Sequence, residues 1–162
     1  MRGILDAPRI AQPGSSPVSQ DESFERRVAA QHRLLDGMFV DVLEAVRTDP
    51  AEGGAKAAFA RLREALEIHF DQEERLHYPA VRALSPSRGD AISAIVRAHD
   101  GFRAQLDGIE ASLASARSAE AEQRLEAFVE AFAVHEAAEE GLLGSLDQEL
   151  QAASAPTEPT SR

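Results

Sequence analysis

The sequence contains no cysteine and no tryptophan, and only one tyrosine and two methionines among its 162 residues. Without cysteine the chain forms no disulfide, performs no thiol chemistry and holds no thiolate-bound metal. Basic residues are also scarce, because 17 lysines and arginines stand against 28 aspartates and glutamates, giving a net charge of −11. A polyanion is poorly suited to binding nucleic acid or an anionic membrane surface. We therefore expect neither as a partner.

Long hydrophobic runs are missing as well. No stretch reaches the roughly 18 apolar residues of a membrane-spanning helix. Residues 1–20 show neither the apolar segment of a secretion signal nor a twin-arginine pair. We therefore expect a cytoplasmic protein, which agrees with the absence of cysteine. The composition of residues 1–20 and 153–162 predicts flexible tails, which leaves 21–152 as a single domain.

Apolar residues recur at spacings of three and four, which is typical of helices with one buried stripe. The four predicted stripes run from Phe24 to Val46, from Phe59 to Leu76, from Ile92 to Leu113 and from Leu125 to Leu146. Between them, turn-forming residues predict breaks at Thr48–Gly54, from Pro79 to Gly89 with Asp90 as the next N-cap, and around Ser115–Ser118. Four long helices with short connections predict an all-α, up-down-up-down antiparallel four-helix bundle.

Polar residues interrupt these stripes at six positions where the core is expected. They are His32, His69, Glu73, His99, His135 and Glu139. A single core histidine is ordinary, since a hydrogen bond is enough to satisfy it. Carboxylates, however, are almost never fully buried unless they are paired or bound to metal. Six such residues, spread over all four predicted helices, require a common cause.

The positions of the six residues predict that they lie at one height in the bundle. In an up-down bundle, residues at equal height are symmetric about each connecting loop. The midpoints between successive helices fall at about 52, 85 and 118, inside the three predicted breaks. A histidine and a glutamate four residues apart share one helix face. Four imidazoles and two carboxylates in one layer suit a pair of iron, manganese or zinc ions.

One histidine, a His-x-x-x-Glu motif, a lone histidine and a second His-x-x-x-Glu motif follow one another, with the segments EERLHYP and EEGLLGSL beside them. This pattern resembles the hemerythrin-like (HHE cation-binding) domain family, as a bacterial-type single-domain member, from residue 22 to about 150. The resemblance implies two iron ions with an oxo, hydroxo or water bridge, for which manganese or zinc are the substitutes. It also implies four terminal ligands, His32, His69, His99 and His135, and two bridging ligands, Glu73 and Glu139.

The sequence departs from the oxygen-carrying members of that family at Arg103, four residues after His99. Those members have a second histidine there, so one iron is expected to have fewer imidazoles and more room for water or substrate. Their last carboxylate lies five residues after the histidine, which here is Glu140. Helical geometry favours Glu139 instead, because it is turned about 40° from His135 and Glu140 about 140°.

For residues close to the motifs, packing, hydrogen bonding or solvation is expected rather than metal binding. His77 lies one turn beyond Glu73 and is expected to pack or form a hydrogen bond rather than bind metal. Glu74, Glu136 and Glu140 are expected on solvated helix faces, although a ligand role for His77, Glu136 or Glu140 stays open. Tyr78 is expected to pack at the helix end, before the proline that follows it, and a place near the metals is the alternative.

The resemblance implies a protein that reacts with small oxidants such as O₂, NO or H₂O₂. As an enzyme it would be a di-iron oxidoreductase, either catalase-like or NO-reducing. The alternatives are a sensor or carrier of oxygen, NO or iron without turnover, an iron storage or delivery protein, and a structural bundle without metal. A redox or signalling partner protein is a further expectation.

Overall fold

The structure is a computed structural model that describes residues 24–48 and 53–154. The predicted tail 1–20 lies outside the described residues. So do residues 21–23 of the predicted domain, residues 49–52 of the first predicted break, and all but the first two residues of the predicted tail 153–162. Every element in the described ranges is helical. In chain order they are α1 (Phe24–Thr48), α2 (Gly54–Gln72), a π-helical turn (Glu73–His77), α3 (Tyr78–Leu84), a 3₁₀ turn (Pro86–Arg88), α4 (Gly89–Ala114) and α5 (Ser118–Ser154).

The helices form a four-membered bundle. α2, the π-helical turn and α3 follow one another directly and together make the second bundle helix. α1 packs against α2 and α5, and α4 packs against the same two helices. Short connections make consecutive helices antiparallel. The predicted all-α four-helix bundle is confirmed, and none of the described helices is long and apolar enough to cross a membrane.

The core consists of two apolar clusters. The larger contains Phe39 and Phe128, and the smaller contains Val28 with residues of α3, α4 and α5. On α1, α4 and α5 the predicted site residues lie between the two clusters, as His32 does between Val28 and Leu35. On the second bundle helix Glu73 lies between Phe70 of the larger cluster and Tyr78 of the smaller one. Burying each large apolar side chain contributes about 1.5–3 kcal/mol to the free energy of folding. The apolar clusters thus hold a polar layer between them.

Two leucines leave their predicted places on the stripes. Leu76 is 64 % exposed, and Leu142 is only partly buried. The π-helical turn inserts extra backbone, so the next inward residue after Glu73 is Tyr78 rather than Leu76. On α5, which is a regular α-helix, Leu143 rather than Leu142 is the buried residue that follows the polar layer.

Two predicted helix boundaries are wrong. Pro79 does not end the second bundle helix, which continues to Leu84. In the preceding π-helical turn the Tyr78 N–H bonds to the carbonyl of Glu73, five residues back, and the proline then occupies the first turn of α3, where its missing N–H costs least. Asp90 is not an N-cap, because the 3₁₀ turn leads directly into α4 and the helix begins at Gly89.

The connection between α4 and α5 agrees with the third predicted break, since α4 ends at Ala114 and α5 begins at Ser118. Ala116 between them has a positive φ of 54°, although no glycine marks the turn. At the other end of the bundle, the Glu25 N–H donates to Asp147 Oδ2 at 3.2 Å. This bond satisfies one free donor of the first turn of α1 and ties it to α5.

Candidate metal centre

The six predicted site residues meet in the layer between the two apolar clusters. α1 and α4 each supply one histidine, and the second bundle helix and α5 each supply a histidine and a glutamate. None of the six is more than 7 % exposed. They are His32, His69, Glu73, His99, His135 and Glu139. The structure therefore brings every residue of the predicted site together, while their role as metal ligands stays a prediction.

Their donor atoms form two overlapping groups, and within each group the atoms lie within 4.8 Å of one another. The His32 group contains His32, His69, Glu73 and Glu139, and the His99 group contains Glu73, His99 and His135. Among the described residues, Glu73 alone belongs to both groups. A carboxylate shared in this way would allow the two groups to hold neighbouring metal ions.

Glu73 directs its two oxygens to different groups. Its Oε1 lies 3.0 Å from Nε2 of His69, and its Oε2 lies 3.4 Å from Nε2 of His99. Nε2 of His99 is in turn 3.2 Å from Nε2 of His135. The resemblance implies two bridging carboxylates, but the structure places Glu139 in the His32 group alone, with its Oε2 3.4 Å from Nε2 of His32.

Four buried donor atoms of the His32 group have no hydrogen-bond partner within the described chain. They are Nε2 of His32, Nε2 of His69, Oε1 of Glu73 and Oε2 of Glu139. Leaving a buried polar atom unsatisfied costs about 1–3 kcal/mol. A cation between them would satisfy all four atoms at once, and imidazole with carboxylate is a donor set that iron, manganese and zinc accept. The residues present therefore fit a metal ion.

Tyr78 contacts both carboxylates of the layer, so its predicted role as helix-end packing alone is wrong. Its hydroxyl lies 2.7 Å from Oε1 of Glu139 and 3.1 Å from Oε2 of Glu73. One hydroxyl proton serves only one of these oxygens at a time. Tyr78 faces the layer because the π-helical turn puts it on the same side of the helix as Glu73, five residues before it. π-Helical turns are frequent at functional sites for this reason.

Three of the four histidines are held from outside through their second ring nitrogen. Nδ1 of His32 lies 2.8 Å from Oε1 of Glu140, and Nδ1 of His99 lies 2.9 Å from Oε1 of Glu74. Nδ1 of His69 lies 3.2 Å from Oε1 of Gln31. Such partners fix the tautomer and the orientation of a ligating imidazole. Glu74 and Glu140 are thus more than the solvated residues predicted, and Gln31 is a contact that the sequence did not reveal.

Phenylalanine rings line the layer on the side of the larger cluster. Phe70 stacks on the ring of His99 with the centroids 4.4 Å apart. Phe132 stacks on the ring of His135 with the centroids 5.7 Å apart and meets His69 edge-on at 6.2 Å. These rings cover the imidazoles of His99 and His135 on that side and fix their planes.

Residues 24–146 match the family model of the hemerythrin HHE cation binding domain. The chain belongs to this family. No curated protein and no solved structure matches it. The family is one of cation-binding domains, and the HHE domain of this chain has two groups of histidines and glutamates that can hold metal.

Arg103 of the HHE domain adds no donor to the His99 group. Its Nε donates to Oε2 of Glu67 at 3.0 Å, and its Nη1 donates to Oε1 of Glu74 at 3.0 Å. Its guanidinium carbon lies 5.3 Å from the centre of the Phe70 ring. The same Glu74 oxygen accepts from Nδ1 of His99. Arg103 therefore supports the histidine indirectly.

Glu136 and Glu140 of the HHE domain do not supply the His99 group with the donor that Arg103 fails to provide. α5 is a regular α-helix from Ser118 to Ser154, so no local distortion turns them inward. Both carboxylates lie beside Nδ1 of His32, at 3.9 Å for Glu136 and 2.8 Å for Glu140. His77 is outside both donor groups as well.

Burial sets the protonation of the metal-free layer. It lowers the pKa of His69 to about 3 and that of His135 to about 4, so both rings are neutral, which is the form that binds metal. Burial, with the charge of Glu139 beside it, raises the pKa of Glu73. Burial would also raise the pKa of Glu139, but the adjacent imidazole of His32 and the Tyr78 hydroxyl lower it. The pair of carboxylates thus holds one proton, which a cation would displace.

Proposed function

We propose that the two donor groups hold a dinuclear iron centre that reacts with small oxidants such as O₂, NO or H₂O₂. The His32 group would hold one ion and the His99 group the other. The observation that carries the proposal is the position of Glu73, whose two oxygens lie 3.0 Å from His69 Nε2 and 3.4 Å from His99 Nε2. The family match supports cation binding, and the donor set suits iron.

The two groups offer different numbers of protein donors. The His32 group provides four residues and the His99 group three. Arg103 is held by Glu67 and Glu74 and does not supply a further one. The His99 side therefore leaves more room for a small molecule, and we expect the oxidant to bind there.

When bound, an iron pair supplies Lewis acidity and the electrons for reaction with an oxidant. The chain itself supplies a proton donor and a dry environment. Burial and the nearby charges of Glu73 and Glu139 raise the pKa of Tyr78, so its hydroxyl keeps its proton. That hydroxyl is the O–H group closest to both carboxylates among the described contacts, and it can donate a hydrogen bond to an oxidant in the layer. Phe70 and Phe132 exclude water from the other side.

Metal analysis of protein purified from iron-replete cells tests the proposal directly. We expect about two ions per chain, mostly iron, as in other two-metal sites. His69→Ala should lower the metal content sharply. His77→Ala is the matched control, because it removes an imidazole from the same bundle helix but from outside both groups. Wild-type protein without metal would refute the proposal.

Oxidant consumption separates an enzyme from a binding protein. Loss of many equivalents of H₂O₂ or NO per iron would make the protein a catalase-like or NO-reducing oxidoreductase. Uptake that stops at one equivalent per centre would instead indicate a sensor or carrier. The visible spectrum recorded during the same titration shows whether the iron changes oxidation state.

A further inference from the structure

A second set of carboxylates lies outside the donor layer, where α1 packs against α5. His32 and Asp36 are one turn apart on α1, and Glu136 and Glu140 are one turn apart on α5. Nδ1 of His32 lies 2.8 Å from Oε1 of Glu140 and 3.9 Å from Oε1 of Glu136. Asp36 therefore shares a face of α1 with His32, and its side chain is exposed.

His32 stands between these carboxylates and the metal centre. Its outer nitrogen, Nδ1, faces Glu136 and Glu140, and its inner nitrogen, Nε2, lies 3.4 Å from Oε2 of Glu139. The exposed fraction of the side chains decreases from the surface toward the donor layer. Asp36 is exposed, the Glu140 side chain is 37 % exposed, that of Glu136 is 11 % exposed and that of His32 is 3 % exposed. These four residues therefore range from an exposed carboxylate at the surface to a buried imidazole in the layer.

Glu136 is the member of this series that the metal centre does not explain. The residue is 8 % exposed, and its buried Oε1 has no hydrogen-bond partner among the described residues. Orienting His32 does not require it, because Nδ1 carries at most one proton and Glu140 is the closer acceptor. It belongs to neither donor group. A buried carboxylate oxygen without a partner is costly, and an arriving cation would satisfy it.

We propose that Asp36, Glu136 and Glu140 form a loading site, at which a hydrated divalent cation binds before it passes His32 and joins the donor layer. In the cell the cation would be Fe²⁺, so this inference rests on the metal centre proposed above. Carboxylate oxygens bind hard divalent cations that keep part of their water. These three carboxylates do not form a compact donor group like the two inside, as expected of a site that binds an ion weakly and releases it.

The rate at which metal-free protein takes up Co²⁺ tests the loading site. Cobalt is a suitable probe because its visible absorption changes when imidazole and carboxylate replace water. In a rapid-mixing experiment, Glu136→Gln should slow loading about tenfold, within the range by which local charge accelerates the binding of ions. The final stoichiometry and spectrum should equal those of the wild type. Asp36→Asn, at an exposed position, should slow loading in the same direction.

Glu130→Gln is the matched control, because Glu130 is an exposed carboxylate on the same helix and its loss changes the net charge equally. Equal rates for wild type and Glu136→Gln would overturn the loading site and leave the metal centre intact. Equal slowing in Glu130→Gln would show a general effect of charge and overturn it too. A lower final stoichiometry in Glu136→Gln would make Glu136 a ligand instead. Wild-type protein that takes up no Co²⁺ would refute the metal centre itself.

Discussion

Removing the metal is predicted to cost the bundle much of its stability. The metal-free layer contains four buried donor atoms without a partner, on His32, His69, Glu73 and Glu139. At about 1–3 kcal/mol each, these atoms account for roughly 4–12 kcal/mol. Mass action gives a similar figure, since two ions at a thousand times their dissociation constants would stabilise the fold by about 8 kcal/mol. Native domains have only about 5–15 kcal/mol in total.

The loss can be measured as a change in the thermal midpoint. For a domain of this size, about 3 °C per kcal/mol translates 8 kcal/mol into a fall of roughly 25 °C on chelation. Circular dichroism of holo and chelator-treated protein gives both midpoints. His69→Ala should start with a low midpoint that the chelator hardly changes, whereas His77→Ala should show the full fall. Equal midpoints for the holo and metal-free wild type would refute the reasoning.

The loss should begin at one end of the bundle. The smaller apolar cluster, with Val28, Tyr78 and Ile92, lies on the side of the 3₁₀ turn and the chain ends. Tyr78 joins that cluster to the polar layer through its contacts with both carboxylates. Hydrogen exchange on chelated protein should therefore show amides of this end losing protection before those around Phe39. Uniform loss along every helix would contradict this order.

The metal-free protein should also become less stable as the pH falls. Burial lowers the pKa of His69 to about 3 and that of His135 to about 4, while an unfolded histidine titrates at 6.5. Between pH 6.5 and about 4 these two histidines are therefore protonated in the unfolded chain but neutral in the folded protein. Each such group contributes a slope of about 1.4 kcal/mol per pH unit. Glu73 and Glu136, whose pKa values burial raises, act in the opposite direction until their unfolded carboxylates bind protons near pH 4.5, so the fall in stability should be steepest below that pH. Denaturant unfolding of chelated protein across this window measures the slope, and a stability that rises toward pH 4 would show that another group dominates.

Single substitutions distinguish the roles of the remaining residues. Glu73→Gln should lower the occupancy of both metal positions, whereas Glu139→Gln should mainly lower that of one, as metal analysis of the two variants would show. Tyr78→Phe should keep the metal content but slow oxidant consumption, and loss of metal would instead make the tyrosine a ligand. Arg103→Gln leaves the carboxylate that holds His99 without its cation, so the imidazole becomes more electron-rich and the reduction potential of the iron pair should fall. Spectroelectrochemistry checks this, and an unchanged potential would limit Arg103 to a structural role.

The sequence predicts the donor layer well because helix geometry is regular at three of the four motif segments. Along α1, α4 and α5 the side chains advance at a constant angle, so His32, His99 and the pair His135 and Glu139 share the buried face with the apolar stripe. In such a helix a residue five positions on is turned about 140°. Glu140 accordingly lies outside the layer and contacts Nδ1 of His32.

The same geometry misleads in the second bundle helix, where the backbone widens. Five positions separate Glu73 from Tyr78, which predicts opposite faces in an α-helix, yet both reach the layer because the turn between them is π-helical. Local propensity does not reveal this turn. Pro79 is a sequence signal of it, because it follows a helical pattern without ending it. The exposure of Leu76, which shows that the stripe has shifted, is visible only in the structure.

Contacts between different helices explain the rest of what the sequence could not show. In the sequence, Arg103 shows only that α4 has no second histidine at this position. Its partners Glu67 and Glu74 lie on the second bundle helix, so a pattern along α4 does not predict them. The partner of Nδ1 therefore differs among the three supported histidines. For His32 it is the Glu140 carboxylate, which receives no described bond from arginine or lysine, and for His69 it is the neutral amide of Gln31. For His99 it is the Glu74 carboxylate, whose charge Arg103 reduces. A partner that attracts the Nδ1 proton more strongly makes Nε2 a better donor. His32 should thus be the strongest imidazole donor of the three, and the group that contains it should bind its ion first and release it last.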